Sequence, residues 1–212
     1  HSAPAMRIAA RESLKMANCT ADDLAFLDLY SCFPSAVEIC CAEQGIAEDD
    51  PRGLTVTGGL PYFGGPGNNY VTHSIAEMIQ RVRAAPGAKG LVTANGNYVT
   101  KQSAGVYSTE PTTRPFQPKD PKIYQAEIDA EKGPKTPDAP AGAATVETYG
   151  VMHDRKGPSF AILFGRQGDG RRFIANTPDD PALLADMCAR DYLGAAGKVS
   201  VGEDGRAIFS PG

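Results

Sequence analysis

A glycine-rich loop that runs into a helix is the part of this sequence best suited to hold a ligand. The stretch VTGGLPYFGGPGNNYVTHSIAEM occupies residues 56–78 and has glycines at 58, 59, 64, 65 and 67. Glycines let a backbone approach a ligand closely, and the helix start expected near Asn69 adds a partial positive charge. The combination suits a thioester carbonyl, a carboxylate or a phosphate. A tight strand–helix turn that binds nothing explains the same residues equally well.

Other residues with reactive side chains are less well supported by their neighbours in the sequence. No Gly-Lys-Ser/Thr follows the loop and its glycines lack the GxGxxG spacing, so nucleotide binding is not indicated. Cys32 falls where a strand gives way to a helix, which could activate a thiol, but no base is identifiable nearby and a buried packing role is favoured. His73 is predicted on the polar face of its helix. His153 has no identifiable partner, and no His, Cys and acidic residues have metal-ligand spacing.

The first half of the chain alternates between helical and strand patterns, as in an α/β layer around a buried sheet. The predicted elements are a helix at 4–17, a strand at 25–30, a helix at 34–44, a strand at 53–58, a helix from Asn69 onward, and strands at 90–95 and 101–109. The loop therefore should lie at the carboxyl end of the 53–58 strand.

The pattern changes after residue 109. Four prolines in residues 110–121 exclude a helix or a central strand there, and 110–143 is predicted as a linker or strap. Residues 144–212 carry four or five short strand patterns, a hairpin signal at 168–170, and a Thr177/Asp180 capping box for a helix at 178–190. They predict a small β-rich domain of OB-like or barrel-like type.

Composition narrows the functional classes. The 212 residues are 42% hydrophobic and 22% charged, with a net charge of −4, so no general basic field would attract nucleic acid or anionic lipid. No apolar run reaches the length of a membrane span. The five scattered cysteines suggest reduced thiols in a cytoplasm, and no signal peptide is visible. Because the first residue is His1, we expect a processed product or a fragment of a longer protein.

Three segments together resemble the C-terminal half of the thiolase superfamily. They are the glycine loop, LDLYSCF at 27–33 and GLVTANGNYVTKQSAGVYS at 90–108, in the order that thiolases have them. The sequence is most similar to bacterial thiolase-like proteins, called acetyl-CoA acetyltransferases, that carry an additional C-terminal domain. The resemblance implies a thiolase-like half at 1–109, in which a mixed sheet is covered by helices, and an additional domain at 144–212.

The resemblance also indicates what this chain lacks. Thiolases place the nucleophilic cysteine in the N-terminal half, which is absent here. In the C-terminal half, Tyr30 stands at the position of the family's asparagine or histidine, Gly65 at that of its second histidine, and Asn95 about where its acid/base cysteine would be. Residues 30–33, YSCF, stand where thiolases have an NEAF or HDCF motif, and Cys32 matches only the third letter of HDCF. An asparagine can donate a hydrogen bond but cannot shuttle a proton.

By this resemblance, Tyr30 and Asn95 are the candidate catalytic residues. The candidate substrate-binding residues are Tyr62, Gly64, Gly65, Pro66, Gly67, Asn68, Asn69 and Tyr98. The implied ligand is CoA or an acyl-CoA, with no covalent cofactor and no metal. The implied partner is a thiolase N-terminal half, in the same longer chain or as a separate subunit, and a homo-oligomer is also expected.

Three functions remain open from the sequence. The first is an acyl-CoA-binding portion of a thiolase-like acyltransferase of lipid metabolism, inactive in thiolysis by itself. The second is a subunit of a thiolase-related carbon–carbon lyase that uses a tyrosine as acid or base. The third is a non-catalytic protein-interaction module. Nucleic-acid binding by the tail is not expected, because residues 117–212 hold 12 Lys and Arg against 14 Asp and Glu.

Overall fold

The computed structural model describes residues 2–212, which divide into two compact units. The first unit extends to Glu131 and the second, the barrel unit, runs from Lys132 to Gly212. The structure therefore divides the chain inside the segment predicted as a linker. Residues 110–120 have no helix or strand, but a helix follows them, and the first strand of the barrel unit already begins at Gly142.

The first unit is built on a three-stranded sheet of order β1-β2-β3, in which β1 and β2 are parallel and β2 and β3 antiparallel. Its elements are α1 (Pro4–Met16), β1 (Phe26–Asp28), α2 (Pro34–Gln44), α3 (Leu60–Phe63), α4 (Tyr70–Ala84), β2 (Lys89–Gly96), β3 (Lys101–Ser108) and α5 (Pro121–Ala130). The predicted α1, α2, α4, β2 and β3 are confirmed. The short helix α3 inside the glycine loop was not predicted.

The helices have the local signals that the sequence indicates. Proline occupies the first turn of α1 and of α2, where its missing N–H costs nothing. Gly45 ends α2 in the left-handed conformation, with φ 66°. The core contains Leu27 and Leu29 from the β1 region and Leu91 from β2, all fully buried. The sheet and its helices thus bring the end of β1 and the end of β2 side by side.

The prediction of a strand at 53–58 is wrong. The segment runs beside β1 with one backbone hydrogen bond, from the Leu29 N–H to the Leu54 carbonyl at 2.9 Å. The N–H groups of Val56 and Thr57 donate instead to the Asp28 carboxylate. A side chain therefore takes the donors that a neighbouring strand would have used, and the β-branched pattern does not produce a ladder.

The prediction of an irregular strap is also wrong over 121–130, where α5 forms. Pro121 lies at the first helical position, and the Asp120 side chain caps the helix by accepting from the Lys122 N–H at 2.9 Å. Proline breaks a helix only in its interior, so Pro121 is compatible with a helix that begins at this residue.

The barrel unit is a closed barrel of five strands in the order β4-β5-β6-β8-β7. Its elements are β4 (Gly142–Asp154), β5 (Gly157–Gln167), β6 (Arg172–Asn176), α6 (Pro181–Ala189), β7 (Ala196–Val201) and β8 (Ala207–Pro211). All pairs are antiparallel except β6 and β8, and α6 lies between the third and fourth strands in sequence. This is the arrangement of an OB-type barrel, and it confirms the predicted small barrel.

The interior of the barrel is filled by large side chains, including Leu163, Phe173, Val199 and Phe209. The predicted turn at 168–170 joins β5 to β6. The predicted cap of α6 is wrong in its residue: Asp180 is the N-cap and accepts from Ala182 and Leu183, whereas Thr177 is buried and caps nothing. Within residues 2–212, no helix is long and apolar enough to cross a membrane, and no three potential metal ligands converge.

Candidate functional site

The glycine loop is anchored by a buried carboxylate at the end of β1. The Asp28 side chain, 0% exposed, accepts through one oxygen from the N–H groups of Val56 (3.0 Å) and Thr57 (3.2 Å). Its other oxygen accepts from the Tyr70 hydroxyl (3.0 Å) and from the Ser74 hydroxyl (2.7 Å). Residues 57 and 70 flank the loop, so one carboxylate ties both of its ends to the sheet.

The groups that surround the Asp28 carboxylate all donate hydrogen bonds to it. No cation pairs with this carboxylate among the described residues, so its charge is offset by hydrogen bonds, which are stronger to an ionised acceptor. Burial, and to a lesser degree the charge of Asp28, raises the pKa of Tyr70. The Tyr70 phenol therefore stays protonated and keeps donating.

Gly65 is required by the packing of the loop. A Cβ at this position would lie 2.6 Å from Tyr70 Cβ and 3.2 Å from Tyr70 Cα. Any larger residue would push the loop away from the start of α4. A histidine, which the resemblance to thiolases leads one to expect at this position, therefore does not fit the backbone of this chain.

Tyr30 and Ser31 connect the end of β1 to the loop. The Tyr30 N–H donates to the Thr93 hydroxyl of β2 at 2.9 Å, and the Tyr30 ring meets the Tyr70 ring edge-on with centroids 5.5 Å apart. The Ser31 hydroxyl accepts from the Leu60 N–H at 2.8 Å. Burial raises the pKa of Tyr30, so near neutral pH its phenol can act as an acid or a hydrogen-bond donor but not as a base.

Cys32 and Asn95 lie together at the ends of their elements. The Asn95 amide donates to the Cys32 sulfur at 3.5 Å, and its carbonyl oxygen accepts from the Gln102 amide at 3.1 Å. Gln102 therefore orients the NH₂ group of Asn95 toward the sulfur. No histidine or carboxylate hydrogen-bonds to this thiol in the described part of the chain, so a basic group that could activate it is missing there.

The turn that follows Asn95 has an unusual backbone. Asn97, Tyr98 and Val99 have φ values of 50°, 54° and 69°, a left-handed run without glycine. Such residues cost about 1–2 kcal/mol each. The Thr100 hydroxyl donates to the Asn97 carbonyl at 2.6 Å and the Gln102 amide to the Val99 carbonyl at 3.0 Å, which hold the turn. Strain of this kind concentrates at functional sites.

His73 belongs to this site, which the sequence did not indicate. Its Nε2 lies 3.0 Å from the Asn69 amide nitrogen, and its ring contacts the Phe63 ring at 5.4 Å between centroids. Its Nδ1 is buried and makes no hydrogen bond to any residue of 2–212. The Asn69–His73 spacing of four residues at a helix start is the signal that could have suggested the contact.

The structure brings some predicted site residues together and leaves others apart. Tyr30 and Gly65 both contact Tyr70, and Asn95 contacts Cys32 two residues from Tyr30. Tyr62 and Tyr98 are each 91% exposed to solvent. Pro66, Gly67, Asn68 and Asn69 are exposed, and Gly64 is half-buried.

A well-formed cavity of the first unit lies elsewhere. It has a volume of about 510 Å³ and is lined by the end of α1, by β3 and by residues 110–116. Its lining residues include none of the predicted site residues. The glycine-loop site is therefore defined by its hydrogen bonds and by its close packing.

Two comparisons with known proteins indicate a thiolase-like protein. Residues 124–206 match the family model of the thiolase-like protein type 1 additional C-terminal domain. The whole chain is similar to the crystal structure of a monomeric SCP2-thiolase-like protein type 1 from Mycobacterium smegmatis, with 42% identity and a TM-score of 0.87 over 100% of this chain. Both matches support a thiolase-like protein that carries this additional C-terminal domain.

The match covers only part of the relative. The chain spans 46% of the Mycobacterium smegmatis protein, so it corresponds to less than half of that molecule. No curated protein sequence is similar to the chain.

Proposed function

We propose that this chain supplies the part of a thiolase-like site that holds a CoA thioester, and that it does not carry out thiolysis by itself. The observation that carries the proposal is the Asn95 amide, which Gln102 orients toward Cys32 beside the anchored glycine loop. A neutral donor held in a fixed direction can stabilise a thioester oxygen without taking part in proton transfer.

Two further features support thioester binding. The α4 N-terminus follows the loop directly, and a helix N-terminus favours a partly negative oxygen. The Asp28 anchor keeps the loop in place without a bound ligand, which lowers the entropic cost of binding.

The same residues argue against thiolysis. Asn95 stands about where thiolases have their acid/base cysteine, and its amide cannot shuttle a proton; position 65 has no room for a histidine. The family's nucleophile would come from an N-terminal half, which we propose as the partner, in the same longer chain or in a separate subunit. The Mycobacterium smegmatis relative is described as monomeric, which favours this partner over a homo-oligomer.

Binding of acetyl-CoA to the 212-residue chain, measured by isothermal titration calorimetry, tests the proposal. We expect Asn95→Leu to weaken binding roughly fivefold, since it removes one hydrogen bond while keeping the side-chain size. Gln125→Leu is the matched control, because it removes an amide from the exposed face of α5, and we expect no change. The absence of acetyl-CoA binding, or equal binding by Asn95→Leu, would refute thioester binding.

The inactivity in thiolysis has a separate measurement. We expect no consumption of acetoacetyl-CoA in the presence of free CoA, even at high protein concentration. Measurable turnover by the unmodified chain would overturn this half of the proposal and would direct attention to Cys32.

A carbon–carbon lyase is the second candidate, and the position of the Tyr30 phenol, edge-on to Tyr70 at the end of β1, favours it. Such an enzyme would use Tyr30 as an acid on a CoA thioester once the site is complete. Tyr30→Phe should then abolish cleavage by the complete protein, whereas Tyr98→Phe should not affect it because that side chain is 91% exposed. Equal losses in both variants would exclude this assignment.

The remaining parts of the proposal follow from a CoA thioester ligand. The chain would act in acyl-group and lipid metabolism, and its five free thiols suit a reducing cytoplasm. The barrel unit would contact protein and not nucleic acid, since it contains ten basic and ten acidic side chains.

A further inference from the structure

The barrel unit contains a second pair of reactive side chains, far from the glycine-loop site in sequence. Cys188, near the end of α6, has its sulfur 3.7 Å from Nε2 of His153 in β4. The two residues are 35 positions apart and both are exposed. The β4–β5 register shifts between Met152 and His153, and such irregularities re-aim side chains at strand ends.

We propose that Cys188 and His153 form a reactive thiol–imidazole pair and that Cys188 is a site of reversible exchange with small disulfides such as oxidised glutathione. His153 Nε2 accepts the thiol proton. The Cys188 sulfur then attacks one sulfur of the disulfide, a new S–S bond forms, and the old S–S bond breaks. The other half leaves as a thiolate and takes the proton from the imidazolium, so no further oxidant is needed.

The other four cysteines lack this arrangement. Burial raises the pKa of Cys40 to about 11, and burial also raises the pKa of Cys41 and of Cys19. The Cys32 sulfur accepts a hydrogen bond from the neutral amide of Asn95. Within residues 2–212, Cys188 is thus the cysteine that hydrogen-bonds to a histidine, and an exposed thiol beside a base is the environment of reactive cysteines.

Charged neighbours of the pair are already engaged elsewhere. Arg190 forms an ion pair with Asp186 one turn earlier in α6, and the Asp154 carboxylate accepts from the Lys156 N–H at 2.6 Å. Arg155 lies two residues after His153 in the sequence and could raise thiol reactivity through its charge alone. A test must therefore separate the imidazole's action as a base from a general positive field.

The experiment treats the 212-residue chain with a limiting amount of oxidised glutathione at about pH 7 and locates the adduct by peptide mass spectrometry. We expect Cys188 to be modified first. His153→Gln should slow its modification roughly fivefold at pH 7, and should leave the rate unchanged at about pH 10, where an ordinary thiol ionises without a base. Arg155→Gln, the control for charge, should change the rate less than twofold.

Several results would overturn the proposal. Modification spread evenly over the cysteines, or directed mainly to Cys32, would show that Cys188 is not especially reactive. An unchanged rate of Cys188 modification in His153→Gln at pH 7 would show that His153 does not act as a base. If His153→Gln slowed the modification equally at both pH values, the substitution would have altered the access of glutathione to Cys188. If Arg155→Gln slowed it as much as His153→Gln, a general positive field would explain the reactivity.

Discussion

The glycine loop and α5 are both attached to the rest of the first unit through charged side chains, which are buried at the loop and exposed at α5. The loop is tied to Asp28, which is fully buried and surrounded by neutral donors. Helix α5 buries none of its residues. Two ion pairs attach it to α1: Arg11 pairs with Glu127, and Arg7 pairs with Glu131, the residue that follows α5.

The difference shows how burial changes the role of a charge. Removing a buried acceptor leaves its donors without partners in a medium that water does not reach, so the whole penalty appears in stability. Exposed ion pairs are screened by salt and contribute little. We therefore expect the loop to be a rigid part of the fold and α5 to be a conditional attachment.

The largest expected effect is that of Asp28→Ala. It leaves the Val56 and Thr57 N–H groups and the Tyr70 and Ser74 hydroxyls without their acceptor. We expect the free energy of unfolding, measured with urea, to fall by about 3–5 kcal/mol, because each buried donor left unpaired costs about 1–3 kcal/mol. Asp129→Ala, on exposed α5, is the control and should be nearly neutral. A loss of unfolding free energy below about 1 kcal/mol in Asp28→Ala would mean that the buried attachment of the loop is no stronger than the exposed attachment of α5.

A smaller effect is expected from Gly65→Ala. The added methyl group would lie 2.6 Å from Tyr70 Cβ, so the loop or the start of α4 must shift. We expect a cost of about 1–3 kcal/mol in urea unfolding, together with weaker acetyl-CoA binding. Gly96→Ala serves as the control, since its methyl group would meet Lys101 Cβ at an ordinary 3.8 Å. Equal stability of the two variants would show that the loop yields easily.

The smallest effect on the fold is expected where α5 is attached. The hydrogen bond from Arg11 lowers the pKa of Glu127, so this attachment is present above the ordinary glutamate pKa of about 4.5 and is lost as the pH falls through the lowered value. We expect hydrogen-exchange protection of α5 to drop in 1 M salt and in acid, with the rest of the first unit unchanged.

Glu127→Gln should reproduce the drop at low salt and remove most of its salt dependence. Asp129→Asn is the matched variant on the same helix, because Asp129 accepts from Gln125 of α5 itself. It should keep the salt dependence of the unmodified chain. Protection of α5 that is insensitive to salt in every variant would show that apolar contacts hold it.

Local patterns predicted the elements whose signals lie within a few residues. Helix α2 runs from Pro34 to Gln44 and ends at Gly45, as its proline and glycine indicate. The turn at 168–170 joins two barrel strands as predicted. Predictions failed where a distant or overlooked partner competes: a side chain took the donors of segment 53–58, and Asp180 capped α6 in place of Thr177.

The amino-acid sequence by itself determined most helices and strands of the first unit, the small barrel of the second unit and the family resemblance. Each depends on residues that are neighbours along the chain, through periodicity, capping and turn preference. Only the tertiary structure decided the contacts of Asp28, the lack of space at Gly65, and the meeting of His153 with Cys188 across 35 residues. Such contacts depend on how separate elements pack, which no local pattern encodes.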